Sequence, residues 1–329
     1  MGRRVHQRLQ EGFQLLCIKA QDHGFDRADG RRGHGNGPQA KADEGHGLQR
    51  PAGHFTAQVD GHLVGIGAFD DFSNDDPSRY EKGFPWHPHR GIETITYVLA
   101  GEVAHGDSLG NSGVLGAGSV QWMTAGSGIM HQEMPRPDPK GQMHGFQLWA
   151  NLPAALKMSA PRYQDIAAED IAEITDDDGT RVRVITGSFW GVRGPVEGVA
   201  ADPLYLDVSV PPGLRKTLPV DTYANAFAYV FAGQGRFDSA SDPVGVPVEK
   251  ELDGQEISIR DMSGNRTLVW FDTGDSVTVQ AGPDGVRFLL ISGRPIEEPV
   301  AWHGPIVMNT RQELRQAVQE LRTGTFIRG

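Results

Sequence analysis

Two short segments recur, in the same order, in the two halves of this 329-residue chain. "YVLAG" at 97–101 returns as "YVFAG" at 229–233, and "GSVQWMTAG" at 118–126 returns as "GDSVTVQAG" at 274–282. Each segment is an apolar run against a glycine, the pattern of a strand and its turn. A module that occurs twice in one order implies a duplicated architecture, and this module contains strands and no helix. Tyr97 lies 29 residues before Gly126, whereas Tyr229 lies 53 before Gly282, so the second copy carries 24 more residues, assigned to 238–265. The boundary between copies is placed near 151–172, where "NLPAALKMSAPRYQDIAAED" gathers proline, alanine and polar residues.

The rest of the chain fits an all-β protein. Apolar-alternating runs at 92–99, 102–105, 119–123, 143–149, 181–187, 204–210, 226–231, 268–271, 276–279 and 286–292 read as strands. Forty-three glycines and 21 prolines, scattered without period, supply the tight turns that a sandwich or barrel needs. One helix is predicted, over "NTRQELRQAVQELRTG". Thr310 and Glu313 have capping-box spacing, Leu314, Ala317, Val318 and Leu321 form one apolar stripe, and Gly324 marks the stop. Residues 1–62 differ in kind. Through residue 60 they carry nine Lys/Arg against seven Asp/Glu, and "DGRRGHGNGPQAKADEGHG" is polar, glycine-rich and predicted to be poorly ordered. The histidines here (His6, His23, His34, His46, His54, His62) lack the paired spacing of a metal site.

A formal net charge of −11 argues against nucleic acid as the partner, since that needs a basic face. Cys17 is the single cysteine, so no intrachain disulfide forms, and a reducing, cytoplasmic setting is expected. No run of 18 apolar residues predicts a membrane span.

Chemistry concentrates in "FPWHPHRGIETITYVL" at 84–99 and "GIMHQEMP" at 128–135. His87 and His89 are two apart, as are His131 and Glu133. Residues two apart on a strand face the same side, their Cα atoms roughly 6.5–7 Å apart, so each pair can reach one ion. Three imidazoles and a carboxylate suit a first-row divalent metal such as iron. A lone His-x-His is a weak signal; the second pair strengthens it, and so does the other half of the chain. Aligned on the YVxAG block, Pro219 and Asp221 stand opposite His87 and His89. Aligned on the Ala-Gly block, Arg287 and Leu289 stand opposite His131 and Glu133. Of 12 histidines only His303 lies after residue 150. Glu93, four residues on from His89 and of the same parity, is an alternative to Glu133 as ligand, or a partner for a ligand's N–H. His105 and His144 read as structural. Trp86, Trp122, Met123, Phe146 and Trp149 are either apolar walls of a site or ordinary barrel core.

The stretches "GFPWHPHRGIETITYVLAGEV", "HGDSLGNSGV", "SVQWMTAGSGIMHQEMP", "HGFQLWANLP", "RYQDI", "RVRVITGSFWGVRGPV", "PLYLDV" and "WHGPIVMNTRQELRQA" together resemble the pirin family of the cupin superfamily, over roughly 69–329. The resemblance implies a bicupin: two tandem β-barrels with a short C-terminal helix. It assigns 63–160 to a metal-binding barrel and 161–329 to a second barrel without a metal site, plus the helix; residues 1–62 depart from the family pattern. It implies one metal, usually iron as Fe(II), held by His87, His89, His131 and Glu133. It further implies either quercetin 2,3-dioxygenase-like ring opening of a flavonol, with Glu133 or Glu93 taking the hydroxyl proton, or a non-catalytic regulator that contacts a transcription factor or metabolic enzyme. A sugar isomerase, also found on cupins, matches these motifs less well. A monomer is expected, because the two barrels cover each other's faces.

Overall fold

The computed structural model describes residues 55–57, 66–238, 246–247, 259–260 and 262–328. The N-terminal tract through residue 54 and most of the predicted insertion lie outside the described residues.

The first half builds two sheets that face each other. Strands β1 (Phe55–Ala57), β2 (Ile66–Asp71), β9 (His144–Asn151), β4 (Ile92–Ala100), β7 (Val120–Thr124) and β10 (Arg162–Ile166) lie side by side in that order. Strands β3 (Phe84–His89), β8 (Ile129–Arg136), β5 (Glu102–Asp107) and β6 (Ser112–Leu115) form the second sheet. In the second half β11 (Glu173–Thr175), β12 (Arg181–Thr186), β15 (Leu204–Val210), β22 (Ser276–Gly293), β17 (Asn225–Asp238) and β20 (Ser263–Gly264) run in order, with β16 (Arg215–Pro219) on β22 and β21 (Thr267–Phe271) on β17. Short pairs add β13 (Ser188–Phe189) with β14 (Val192–Arg193), and β18 (Val246–Pro247) with β19 (Ile259–Arg260). The chain ends in β23 (Ala301–His303), β24 (Ile306–Met308) and α1 (Arg311–Thr323). Every run read as a strand from the sequence lies within or overlaps one of these strands.

The duplication is visible in the ladders. Tyr97 pairs with Phe146 on one side and Val120 on the other; Tyr229 pairs with Leu289 and Leu268. The YVxAG glycine turns the chain in both copies, at φ 77° for Gly101 and 64° for Gly233, a region that strains any residue with a Cβ. The ladders also correct the second echo. The counterpart of β7 is β21, not the "GDSVTVQAG" that opens β22; that stretch runs beside β16 and β17 as β8 runs beside β3 and β5. A glycine-bounded alternating run is a generic strand signature, and it matched a neighbouring strand. Tyr97 precedes Val120 by 23 residues and Tyr229 precedes Leu268 by 39, so the second copy is longer by sixteen residues at this point.

Strand β4 is buried on both faces because it is the boundary between two cores. Thr94, Thr96 and Val98 face the interior of the first barrel. Ile95 and Tyr97 face outward, into an apolar layer shared with Phe69, Phe146, Tyr205, Phe227 and Tyr229 from the two halves. The layer carries a reciprocal pair of hydrogen bonds: Tyr97 Oη donates to Asp207 Oδ2 and Tyr229 Oη to Asp71 Oδ2, both at 2.7 Å. Asp71 pairs with Phe146 and Asp207 with Leu289, the same ladder position in each half, so the contact keeps the two-fold character of the duplication.

The helix forms as its sequence predicts, with Thr310 and Glu313 in a capping box and Gly324 left-handed at φ 71°. Its buried Ala317 sits in a small core with Ile306, Met308 and Phe326. This terminal segment crosses back to the first barrel: Ile306 bridges Arg90 in parallel, and Val307 packs with Ile92, Met123 and Ile129.

Candidate metal centre

Three imidazoles meet inside the first barrel. His87 and His89 leave β3, and His131 leaves the adjacent β8, directly opposite His87 in the ladder. His87 Nε2 is 3.0 Å from His89 Nε2 and 2.9 Å from His131 Nε2, and one donor atom from each ring lies within 4.8 Å of the others. His89 and His131 are buried, while His87 is half-buried.

These rings fit an ion better than they fit one another. His87 Nδ1 lies 2.8 Å from the Pro85 carbonyl, which only an N–H can satisfy, so its Nε2 presents a lone pair. Burial holds His131 down to about 4, with the charge of Glu133 opposing, and holds His89 well below the usual range, helped by His131 and His87 and opposed by the Pro305 carbonyl. Neutral imidazoles are the ligating form. Two nitrogens at right angles about an ion, at bonds of about 2.1 Å, stand about 3.0 Å apart, which matches both measured separations.

Glu133 lies next to this group. Its Oε2 is 4.0 Å from His131 Nε2. Gln147 Nε2 donates to both carboxylate oxygens at 2.9 Å, and Thr96 Oγ1 donates to Oε1 at 3.1 Å. Neither Gln147 nor Thr96 was singled out from the sequence. The available signal was a polar residue flanked by apolar ones within each of the two strands, in "TITYV" and "FQLW". On the other side of Glu133 lies a cavity of about 30 Å³, walled by Phe72, Tyr80, Phe84, Val103 and Pro135.

Glu93 does not join the site. It shares the face of β4 with Ile95 and Tyr97, toward the second half, where Thr124 Oγ1 donates to it at 2.7 Å. Burial raises its pKa, against the hydrogen bond from Thr124. Counting parity from His87 to Glu93 fails because the chain changes sheets between them. It turns at Gly91, at φ 76°, where a Cβ would strike the Val307 carbonyl. His105 and His144 stand outside the group, as expected. His105 Nε2 is 2.9 Å from Gln121 Nε2 and its ring stacks on Tyr163; His144 pairs with Asp75 at 2.8 Å. Of the five aromatic and apolar candidates, Trp149 reaches the site, edge to face with His89 at 5.1 Å. Trp122 and Phe146 belong to the layer between the halves, Met123 to the cluster with Val307, and Trp86 is 52% exposed.

Among the described residues the second half carries apolar side chains in place of this group, at positions other than those the sequence alignment named. With Gly233 on Gly101, His105 corresponds to Phe237, which pairs with Val279 as His105 pairs with Glu133. His131 then corresponds to Val277 and its partner His87 to Leu218; two residues on, His89 corresponds to Val220. Leu218, Val220, Val277 and Val279 are all buried in one apolar core. Pro219, Asp221, Arg287 and Leu289 were off because the first alignment slipped by one residue and the second matched the wrong strand.

Comparison with known proteins agrees with this architecture. The Pirin family model matches residues 54–150, and the model of the Pirin C-terminal cupin domain matches residues 205–327. A pirin-like protein of Caulobacter vibrioides is 46% identical over 258 residues, covering 78% of this chain and 85% of that relative. Human pirin is 37% identical over 256 residues, covering 77% and 80%. The crystal structure of a quercetin 2,3-dioxygenase from Acinetobacter baumannii superposes with a TM-score of 0.69 at 29% identity, covering 81% of this chain and 87% of that one. The two-barrel fold, the ladder-matched halves and the histidine group in the first of them make this chain a member of the pirin family.

Proposed function

We propose that this protein is an iron-dependent dioxygenase that opens the ring of a flavonol, of the quercetin 2,3-dioxygenase type, with Fe(II) held by His87, His89, His131 and Glu133. The observation that carries the reading is the convergence of three imidazole nitrogens beside an oriented carboxylate, and the likeness to the Acinetobacter quercetin 2,3-dioxygenase supports it. In this reading 63–160 is the metal-bearing barrel and 161–329 its metal-free partner with the helix. A nitrogen-and-oxygen donor set suits a first-row divalent ion, and the bound ion would supply Lewis acidity toward the flavonol hydroxyl and a place for dioxygen.

The chain's own groups do the rest. Glu133 takes the hydroxyl proton, with Gln147 and Thr96 fixing the direction of its lone pairs. Trp149 offers an aromatic wall next to His89. A cavity of about 30 Å³ borders Glu133, Thr96 and Gln147, and His87 is the most exposed of the three histidines. The test is loss of quercetin absorbance under oxygen by iron-loaded protein. Turnover well above that of His87→Ala is expected. Turnover equal to His87→Ala, in protein that holds its metal, removes the enzyme and leaves a metal-dependent binding protein.

A further inference from the structure

Arg90 follows His89 in the chain, and its side chain is 2% exposed. A buried guanidinium needs partners for its donors, and Arg90 finds them on three segments. Its Nε donates to the Ser127 carbonyl at 2.6 Å, Nη1 to Glu320 Oε2 at 2.6 Å and Nη2 to the Phe326 carbonyl at 2.9 Å, with the guanidinium 4.1 Å above the Phe326 ring. Ser127 belongs to the turn that opens β8, four residues before His131. Glu320 is on α1 and Phe326 is just beyond it. One side chain therefore ties the end of the strand bearing His87 and His89 to the start of the strand bearing His131, and ties both to the end of the chain.

The backbone repeats the connection. Val307 N–H donates to the Arg90 carbonyl at 3.0 Å. At the next position the buried Lys157 Nζ joins the Gly91 and Val307 carbonyls, each at 2.9 Å, with Asn151 Oδ1 at 2.6 Å. Trp302 packs on Trp149, whose ring meets His89 edge to face. Chain order assigns this terminal segment to the second half, but its contacts are with the ligand strands of the first.

We propose that Arg90 is a positioning residue that couples docking of the C-terminal segment 301–328 to metal affinity, so that the end of the chain completes the centre in the first barrel. The proposal rests on the reading that the three histidines hold a metal. A site whose ligand strands are already fixed binds without the cost of ordering them, and groups that orient ligands change metal affinity by about 10–100-fold. Coupling is reciprocal: if docking favours the ion, the ion favours docking.

The test uses full-length protein and Co(II), with affinity read by competition against a chromophoric chelator, the Co(II) d–d spectrum, and hydrogen exchange of α1 with and without the ion. Arg90→Met is expected to weaken Co(II) binding about tenfold or more and to alter the d–d spectrum. Arg90→Lys, which restores the charge and part of the bonding, recovers some of the affinity, and Glu320→Ala, which removes one of three anchors, loses less. Co(II) should raise exchange protection across 311–323 in the wild type and not in Arg90→Met. Leu218→Ala, in the apolar core of the other half, lowers stability without changing affinity. Folded Arg90→Met with wild-type affinity and spectrum overturns the proposal, as does helix protection that ignores Co(II). Should Arg90→Met fail to fold, Glu320→Ala with unchanged affinity and exchange overturns it alone. Wild-type protein that binds no Co(II) sinks the metal reading itself, a distinct result.

Discussion

The two halves of this chain are one fold with two kinds of interior. Where the first half places His87, His89, His131 and Glu133, the second places Leu218, Val220, Val277 and Val279 at the same ladder positions. The second interior is apolar throughout this cluster, aliphatic side chains packed with Phe189, Phe237, Phe271 and Phe288. The first carries a polar layer between two smaller apolar clusters, with Thr96 and Gln147 on Glu133, and Gln121 between His105 and Asp165. The comparison teaches that the barrel does not need the site. Buried polar groups cost stability unless each finds a partner; the network of Thr96, Gln147 and Gln121 meets part of that cost in the first half, while the Nδ1 atoms of His89, His105 and His131 are buried without a hydrogen bond.

Four experiments would break or sharpen this contrast. The largest effect is expected for His87→Ala/His131→Ala: near-stoichiometric metal in the wild type should fall to almost none by elemental analysis. Metal retained by that variant would place the site elsewhere. Next, Leu218→Ala should cost about 2–5 kcal/mol in urea unfolding, the range for truncating a buried leucine, and leave metal content untouched. A loss of metal there would mean that the two interiors are not independent.

The reciprocal tyrosines come third. Hydrogen bonds to charged groups are worth about 1.5–3 kcal/mol, but the two aspartates are not equally supported. Asp207 keeps two bonds from Arg287, at 2.9 and 2.6 Å, when Tyr97 is removed. Asp71 keeps the Ser73 N–H at 2.9 Å and a looser Arg266 at 3.7 Å when Tyr229 is removed. Tyr229→Phe should therefore destabilise more than Tyr97→Phe, by about 1 kcal/mol; the reverse order would show that the Tyr97–Arg183 bond at 2.8 Å matters more than the aspartate. The smallest effect is predicted for Glu93→Gln, which keeps an acceptor for Thr124. It should leave metal content and quercetin turnover unchanged, while Glu133→Gln reduces both. A metal loss in Glu93→Gln would bring Glu93 back toward the site.

The strands that stand out in the sequence are those with at least one mostly apolar face, such as "LYLDVSV" and "RVRVIT". Absent from those apolar-alternating runs are the two strands that matter most, which only the i, i+2 spacing of their polar pairs marked as strands. In β3, "FPWHPH", prolines at 85 and 88 disguise a strand, since proline cannot donate to a ladder. In β8, "IMHQEMPR", the buried positions are filled by His131 and Glu133, so the alternation of burial is present while the alternation of hydrophobicity is not. The candidate ligands themselves erased the local signal, as functional residues do when they occupy core positions. The histidine pairs were legible instead from their spacing and from their absence in the other half.

By itself the sequence determined the doubled all-β plan, the capped terminal helix and the ligand types, because strand alternation, caps and i, i+2 spacing are properties of a few neighbouring residues. It did not determine which strand answers which across the duplication, on which face Glu93 falls, what holds Glu133, or that the last residues of the chain return to the first barrel. Those depend on which sheet each strand joins after a turn and on contacts such as Arg90 to Glu320, 230 residues apart. Local rules carry no information about pairings at that distance; only the closed barrel, with its ladders in register, decides them.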